Sequence, residues 1–350
     1  MDLRKLASGC VMIGLPGTVI DSATAARLRL LDPAGVILFA RNLIEFVQTR
    51  ELLLSFGRLV ERPPLMAIDQ EGGRVSRLEP WIGPTPAAAR LAEAGEETVR
   101  AFGLSTGRAL RCIGFNVDFA PVVDLSQPGA RNGIADRAFG TDPEKVARLA
   151  GAFLEGLQST GVAGCLKHFP GLGDATVDSH EALPTVETDL HELERVDTLP
   201  YRRLVERAAC VMVGHGHYPA LDGTEPRPAT CSSSVVSGLL RDRLRYGGMI
   251  VSDDFEMGAV ASRDAEGAAA VEALAAGCDL VLYCSDLDRA EAAVEALTDA
   301  CARRPELRAR LEQAASKVER LALEWPAAPA GGADEWSNAV GAFEAFRRIV

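Results

Sequence analysis

Eight short apolar runs recur along the chain, and each precedes polar or glycine-rich residues and then a segment of helical periodicity. The runs cover residues 10–15, 35–39, 65–68, 116–119, 164–167, 210–214, 249–252 and 280–284. Strands that are apolar on both faces and alternate with helices indicate a parallel sheet that helices cover. Eight such units favour a single-domain α/β fold, the (β/α)8 TIM-type barrel, over a doubly wound sheet.

The end of the chain has a different character. A last long helix is predicted over residues 306–324, and the Pro-, Ala- and Gly-rich stretch 326–332 is typical of a linker. The pattern of residues 334–350 indicates a short helix that docks on the body, or a loose tail. We therefore predict a barrel domain over residues 1–325 and a linker with a short C-terminal helix or tail over residues 326–350.

Charge and cysteine content exclude several classes of protein. The 350 residues carry a formal net charge of -12, which argues against nucleic acid or anionic membrane surfaces as main partners. The eight cysteines are scattered without a CxxC pair, and several lie in apolar runs, which favours reduced thiols in a reducing compartment. No run of 18 apolar residues is present. We expect a soluble, cytoplasmic monomer.

Charged residues follow five of the predicted strands. In a barrel of this type, the carboxyl ends of the strands carry the functional side chains. A lone Asp at such a position more often caps the next helix, and a lone His more often packs in a turn. Five charged strand ends together favour a functional site. The residues are Asp69, Asp118 and Asp124, Lys167 and His168, His215 and His217, and Asp253 and Asp254.

Three functions are compatible with these residues, and the first is glycoside hydrolysis. That reaction needs a carboxylate near the anomeric carbon and a proton donor for the leaving oxygen. Asp253 can supply the carboxylate. His180 can be the donor, because Asp178 lies two residues earlier and can accept a hydrogen bond from one ring nitrogen.

The other two functions use the same scaffold. His215-Gly216-His217, together with Lys167, His168 and Asp253, suggests a metal-dependent hydrolase. Metal-dependent amidohydrolase barrels, however, carry their His-x-His after the first strand, where this chain has residues 14–17 without histidine. A non-catalytic sugar-binding protein is the third possibility, and only the intact pair of catalytic candidates argues against it.

The motifs that carry these residues resemble those of a known family. The chain is similar to the bacterial β-N-acetylglucosaminidases of glycoside hydrolase family three, the single-domain cytoplasmic branch that trims wall-derived muropeptides. The Lys-His-Phe-Pro-Gly…Asp-Ser-His block of residues 167–180 is the most specific motif, and Gly-Met-Ile-Val-Ser-Asp at 248–253 matches the nucleophile signature. The resemblance spans about residues 9–323 and includes motifs at 39–43, 69–78, 116–124, 137–140, 215–222 and 251–257.

The resemblance implies a retaining exo-β-N-acetylglucosaminidase that needs no metal or organic cofactor. It selects Asp253 over Asp254 as the nucleophile that forms a glycosyl-enzyme intermediate. His180, oriented by Asp178, would protonate the leaving oxygen and then activate water. The expected substrates are N-acetylglucosamine-containing saccharides or muropeptides, and a phosphorolytic variant stays open because a neutral histidine would not repel phosphate. The residues implied to hold the sugar ring are Asp69, Arg77, Arg137, Lys167 and His168.

Two positions depart from the family pattern, both near the implied catalytic groups. Leu172 stands where relatives usually have histidine, inside a loop that Pro170, Gly171 and Gly173 are expected to make mobile. This change is expected to alter how the loop packs against the barrel. Glu256 replaces a small residue three positions after Asp253. We expect its side chain to point to solvent rather than to the site mouth, where it would disfavour anionic aglycones.

Overall fold

The computed structural model describes residues 2–127, 132–329 and 331–349. Met1 and residues 128–131 of the predicted domain, Ala330 of the predicted linker and Val350 at the end of the predicted tail lie outside the described part. Eight parallel strands close into a barrel in which each strand pairs with its neighbours in sequence and the last returns to the first. They are β1 (Val11–Gly14), β2 (Gly35–Leu38), β3 (Leu65–Ile68), β4 (Val117–Asp118), β5 (Ala163–Phe169), β6 (Cys210–Val213), β7 (Met249–Asp254) and β8 (Leu280–Tyr283). The predicted TIM-type barrel is confirmed.

Alternation along the strands explains the two-sided apolar pattern of the sequence. Met12, Ala67 and Met212 belong to one apolar cluster inside the barrel, whereas Ile13, Met66 and Val211, each adjacent in sequence, belong to a second cluster beneath the helices. Successive side chains on a strand point to opposite faces, so both sets must be apolar. The strands are therefore buried on both sides.

Helices alternate with the strands and continue beyond the last one. In the described ranges they include α1 (Ser22–Leu31), α2 (Phe46–Gly57), α3 (Glu96–Ile113), α4 (Pro143–Gln158), α5 (Leu199–Leu204), α6 (Ser234–Arg243), α7 (Ala268–Ala276), α8 (Leu287–Arg303), α9 (Pro305–Glu324) and α10 (Ala333–Ala342). Short helical segments cover Leu3–Ser8, Glu79–Ile82, Ala88–Ala94, Leu190–Glu192 and Pro219–Asp222. None of the helices in the described ranges is long and apolar enough to cross a membrane.

Two segments with helical periodicity in the sequence are interrupted in the structure. Residues 86–112 have this periodicity throughout, but the helix breaks at Gly95, whose φ of 94° is incompatible with a helix, and resumes as α3. Residues 190–208 have it as well, but they contain a π-helical turn at Leu193–Asp197 before α5 begins. Pro200 lies at the start of α5, where its missing N–H costs little. The breaks shift the helix ends and leave the order of the elements unchanged.

The segment after Trp325 packs on the outer helices. Trp336 of α10 stacks on Phe46 of α2 at a ring distance of 4.6 Å. Phe346 meets Phe102 of α3 edge to face at 5.2 Å. Such aromatic pairs add to the burial of apolar surface. The described part of this segment is therefore docked on the side of the barrel and leaves the carboxyl ends of the strands open.

Candidate active site

A cavity of about 410 Å³ opens at the carboxyl ends of the barrel strands. Apolar residues from the barrel interior, among them Ile37, Phe119, Met212 and Leu282, line part of its wall. The structure brings all eight predicted site residues to this one cavity. They are Asp69, Arg77, Arg137, Lys167, His168, Asp178, His180 and Asp253.

Lys167 links two carboxylates inside the cavity. It lies on β5 with a side chain only 3% exposed, and its Nζ is 2.8 Å from Asp69 Oδ1 and 2.6 Å from Glu71 Oε1. Burial alone would lower the pKa of Lys167, but the charges of Asp69 and Glu71 hold it above its ordinary value. The ammonium group therefore stays protonated and can donate to a sugar oxygen.

Glu71 is a site residue that the sequence did not single out. Its two oxygens accept hydrogen bonds from Nε and Nη2 of Arg137, both at 2.8 Å, so the two planar groups form a bidentate pair. Burial raises the pKa of Glu71, but the charges of Lys167 and Arg137 outweigh it and hold the pKa well below the usual range. Glu71 thus orients two predicted sugar-binding residues at once. It lies in the hairpin of Gln70–Gly72 and Val75–Ser76 after β3, and only its place two residues beyond Asp69 could have indicated it.

Asp124 holds His168 and the start of the following loop. Its Oδ2 is 2.7 Å from His168 Nδ1, and its Oδ1 accepts a hydrogen bond from the Leu172 backbone at 2.8 Å. The remaining ring nitrogen, Nε2, lies 3.5 Å from Arg137 Nη2 at the cavity. Asp124 therefore sets the tautomer and the orientation of the imidazole, although it does not line the cavity itself.

Arg77 has an unsatisfied donor in the same cavity. Its buried Nε has no hydrogen-bond partner among the described residues. Its guanidinium lies over the Phe39 ring at 5.8 Å, and that of Arg41 approaches the same ring at 4.7 Å. A buried donor without an acceptor is costly, so Arg77 is suited to bind an oxygen of an incoming ligand.

Asp253 and Asp254 end β7 in different electrostatic environments. Burial raises the pKa of Asp253, but the imidazoles of His168 and His215 and the Asp254 N–H lower it, and the net pKa lies below the ordinary value. The pKa of Asp254 is raised to about 7, mainly by burial and also by repulsion from Glu256 and Asp253. Asp253 is therefore the carboxylate that stays anionic near neutral pH.

Asp254 and the two histidines after β6 are engaged in local structure. Asp254 Oδ1 accepts from the backbone of Glu256 at 3.0 Å. His215 lies 2.9 Å from Thr230 Oγ1 through Nδ1 and 3.0 Å from the Asp254 carbonyl through Nε2. His217 Nδ1 accepts from the Arg227 backbone at 3.2 Å. Within the described ranges, no group of three or more His, Cys, Asp or Glu residues is arranged to hold a metal ion.

His180 and Asp178 form a pair on the loop between β5 and the next helical segment. His180 Nδ1 lies 2.8 Å from Asp178 Oδ1, and the His180 side chain is 70% exposed. Backbone N–H groups of Gly258 and Ala259, just after β7, donate to the carbonyls of His180 and Ser179, both at 3.2 Å. The pair is thereby held beside the strand that carries Asp253, with Nε2 of His180 left for proton transfer.

The two departures from the family pattern have structural explanations. Leu172 is buried, and added Cβ atoms on Gly214 and Gly216 would each lie 3.1 Å from its methyl groups, so its side chain packs on the segment after β6. Glu256 does not line the cavity, and its Oε1 accepts a hydrogen bond from the Asp286 backbone at 2.8 Å. As expected, the side chain of Glu256 lies away from the site mouth, and its partly exposed carboxylate binds the backbone at the start of α8.

Comparisons with known proteins agree with this geometry. A family model described as the glycosyl hydrolase family 3 N terminal domain matches residues 12–321. A Beta-hexosaminidase of Pseudomonas aeruginosa (strain UCBPP-PA14) is 39% identical over 293 residues, which cover 83% of this chain and 86% of that protein. A Beta-hexosaminidase of Thioalkalivibrio sulfidiphilus is 39% identical over 302 residues, covering 84% and 86%.

Solved structures show the same relationship. A glycoside hydrolase family 3 beta-N-acetylglucosaminidase from Paenibacillus sp. str. FPU-7 matches with a TM-score of 0.89 and 33% identity, covering 98% of this chain and 68% of that one. LpqI of M tuberculosis matches with a TM-score of 0.81 and 33% identity, covering 93% and 94%. The barrel, its strand-end cavity and these relatives lead to one conclusion: the chain belongs to glycosyl hydrolase family 3 and is a glycoside hydrolase.

Proposed function

We propose that this enzyme is a retaining exo-β-N-acetylglucosaminidase that acts through a glycosyl-enzyme intermediate on Asp253. One observation carries the proposal: an anionic Asp253 and the Asp178–His180 pair line the same cavity as the predicted sugar-binding residues. The Beta-hexosaminidase relatives support the choice of an N-acetylated hexosaminide as substrate.

In the first half-reaction, a carboxylate oxygen of Asp253 attacks the anomeric carbon as the bond from that carbon to the glycosidic oxygen breaks. His180, protonated on Nε2, gives that proton to the departing oxygen, and the aglycone leaves as an alcohol. Asp178 accepts from Nδ1 at 2.8 Å and stabilises the charged imidazole before transfer. The sugar is then bound to Asp253 as an ester.

In the second half-reaction, the neutral His180 takes a proton from water. The resulting hydroxide attacks the anomeric carbon, and the ester bond to Asp253 breaks. Two displacements on one carbon retain its configuration. Asp253 returns to its anionic form and His180 to its protonated form, so both groups are ready for the next cycle.

The cavity suits a terminal sugar ring. Its volume of about 410 Å³ lies at the lower end of the range for small-ligand sites. Asp69 can accept from ring hydroxyl groups, while Arg77, Arg137 and Lys167 can donate to hydroxyl and acetamide oxygens. The barrel interior is packed with side chains below the cavity, so the substrate can enter from one side only. This supports exo action.

For the natural substrate, we propose wall-derived muropeptides met in the cytoplasm. Arg41 and Arg74 line the cavity and can attract an aglycone that carries carboxylates. All eight cysteines are buried and unpaired, as a reducing compartment favours. The check is chromatography of a muropeptide digest: release of N-acetylglucosamine from muropeptides at less than a tenth of the rate on neutral disaccharides would contradict this choice.

The central test is the hydrolysis of an aryl β-N-acetylglucosaminide. Asp253→Ala should lower kcat by about 10⁴-fold or more, whereas the neighbouring control Asp254→Asn should lose much less. Azide should restore turnover of Asp253→Ala and yield an α-linked glycosyl azide, because it replaces the missing nucleophile. Equal losses in the two variants would contradict the nucleophile assignment. A wild-type protein that binds N-acetylglucosamine without turnover would be a sugar binder.

Phosphorolysis is a second candidate, and the observation that favours it is the use of a histidine as acid/base. A neutral imidazole, unlike a carboxylate, does not repel an incoming phosphate. Product analysis separates the two reactions: hydrolysis yields N-acetylglucosamine with or without phosphate, and phosphorolysis yields its 1-phosphate. We expect hydrolysis at the same rate in both conditions.

The metal-dependent alternative has its own test. If the proposed mechanism is correct, the hydrolytic activity of the enzyme should survive prolonged dialysis against EDTA. Elemental analysis of the purified protein should then find no metal in stoichiometric amount. A loss of activity that zinc restores would overturn the metal-free mechanism.

A further inference from the structure

A second cavity, of about 430 Å³, lies at the opposite end of the barrel from the catalytic cavity. Its wall includes Ala209, which directly precedes β6, residues 244–248, which directly precede β7, and part of α9. It therefore lies at the amino ends of the strands, the end that in this fold serves stability rather than catalysis. No step of the proposed reaction uses it.

Basic side chains dominate this cavity. In a chain whose formal net charge is -12, four basic groups from three elements converge here, against two acidic ones. The basic groups are Arg202 on α5, Arg245 before β7, and Lys317 and Arg320 on α9; the acidic groups are Glu206 and Glu324. Such a local excess attracts anions.

Three of these four basic groups have no carboxylate partner among the described residues, and the fourth, Arg320, has only a long ion pair. Arg245 and Lys317 line the cavity without an ion pair or side-chain hydrogen bond to any described residue. Arg320 donates to the Gly247 carbonyl at 3.4 Å and approaches Glu324 only to 3.8 Å. Arg202 donates to the carbonyl of Glu194. Their charge is therefore available to a ligand.

A buried ion cluster behind Lys317 adds to the positive potential. The fully buried Asp279 is held by both Arg241 and Arg310, so two guanidinium groups face one carboxylate. The pKa of Lys317 is lowered to about 8, mainly by burial, with Asp279 opposing the effect and the nearby arginines adding to it. An anion placed against Lys317 would relieve this repulsion.

We propose that this cavity binds a small phosphate-bearing metabolite, with Lys317 and Arg320 as its main anion ligands. Ammonium and guanidinium groups form strong charge-assisted hydrogen bonds with phosphate oxygens. A volume of about 430 Å³ exceeds the need of a lone phosphate ion and suits a phosphomonoester of monosaccharide size. The ligand stabilises the folded protein, because it binds the native state and not the unfolded chain.

Isothermal titration of the full chain tests the proposal with inorganic phosphate and glucose 6-phosphate as probes. N-acetylglucosamine is kept in excess so that the catalytic cavity is occupied. We expect glucose 6-phosphate to bind with a Kd of about 1 mM or lower, and more tightly than inorganic phosphate. Lys317→Gln combined with Arg320→Gln should weaken it about tenfold or more. Arg308→Gln is the matched control, since Arg308 is exposed on the same helix and pairs with Glu312 at 3.3 Å.

Three outcomes would overturn the proposal in whole or in part. If neither probe binds, or if the double variant and the control bind glucose 6-phosphate with equal affinity, the cavity is not an anion-binding site. If glucose 6-phosphate binds no more tightly than inorganic phosphate, the proposal that the ligand is a phosphate-bearing metabolite is wrong. If the double variant does not fold, Lys317→Gln alone is measured, with weaker binding again expected. Unchanged hydrolysis of the aryl substrate by the variants shows that any loss is separate from the proposed catalytic function.

Discussion

Two regions at the mouth of the barrel differ in how they are held. We call them the strand-end cluster (Asp69, Glu71, Arg137, Lys167 and His168) and the acid/base loop (residues 170–188). Residues of the cluster are cross-linked by ion pairs that span 66 and 98 positions of the chain. In the acid/base loop, the 70% exposed His180 has Asp178, two positions away, as its side-chain partner.

The difference indicates a division between binding and proton transfer. Buried ion pairs with several hydrogen bonds preorganise the groups predicted to hold the sugar. Backbone bonds from Gly258 and Ala259 anchor the exposed pair of the loop next to β7. Loss of one buried charge should therefore disrupt binding strongly, while changes in the loop should act mainly on the catalytic step.

Among changes in these two regions, the largest effect is expected from Glu71→Gln. The change leaves Lys167 and Arg137 without their shared counter-charge in a buried site, which costs about 3–5 kcal/mol. We expect kcat/KM for the aryl substrate to fall about 10³-fold, mainly through KM. Steady-state kinetics and chemical unfolding measure the two effects. Glu79→Gln, an exposed carboxylate beyond the same hairpin, is the control and should behave as wild type. A wild-type KM in Glu71→Gln would show that the cluster does not hold the sugar.

His180→Ala should have the next largest effect, and it should depend on the leaving group. With a disaccharide, loss of the proton donor is expected to lower kcat/KM about 10²-fold or more, near 2.7 kcal/mol. An aryl glycoside with an acidic phenol needs little protonation and should lose far less in the first half-reaction. Burst kinetics with the two substrates give the comparison. Equal losses of kcat/KM with the two substrates would contradict the role of His180 as the acid.

Asp197 provides a pH-dependent test of how the start of the acid/base loop is packed. It is buried, and an added Cβ on Gly171 would lie 2.9 Å from its Cβ, so it packs under the start of the loop. Burial, together with repulsion from Asp174 and Asp124, raises its pKa from 3.8 to about 7. The protonated carboxyl therefore stabilises the fold fully below pH 3.8, and that contribution is lost as pH rises through about 7.

Asp197→Asn should remove this dependence. Between pH 5 and pH 8, urea unfolding of the wild type should lose about 2 kcal/mol more stability than unfolding of the variant. Glu187→Gln is a matched control, because Glu187 is an exposed carboxylate of the same loop. If Asp197→Asn keeps the full pH dependence of the wild type, that dependence arises from other groups.

The smallest effect is expected from Gly258→Ala. An added Cβ would lie 2.5 Å from the Glu181 carbonyl oxygen and 2.8 Å from that of His180, so the loop must shift away from β7. We expect kcat to fall about tenfold, near 1.4 kcal/mol, with KM little changed. Gly238→Ala in α6 is the control, since its nearest neighbour would be 3.6 Å away. A raised KM with normal kcat would mean that the loop contributes to substrate binding rather than to proton transfer.

Periodicity predicted the barrel well because burial on both faces leaves a signal in every strand. The eight apolar runs correspond to the eight strands within about two residues at each end. Helix ends were less well predicted: Gly95 and the π-helical turn at Leu193–Asp197 interrupt segments whose composition is helical throughout. Such breaks depend on backbone conformations that composition describes poorly.

Local spacing and family motifs placed the candidate catalytic residues. Asp178 and His180 are two positions apart, so their pairing is visible in the sequence, and the signature before Asp253 selected it over Asp254. The structure adds a physical reason for that choice, since the pKa of Asp253 is lowered and that of Asp254 is raised to about 7.

By itself, the sequence determined the order of strands and helices and the end of the barrel at which charge collects, and it predicted the candidate acid/base pair. Only the tertiary structure decided that Glu71 joins Lys167 to Arg137, that Asp124 orients His168, and that Glu256 binds the start of α8. Partners tens of residues apart meet only when the barrel closes, and the electrostatic roles of buried charges depend on which partners they meet.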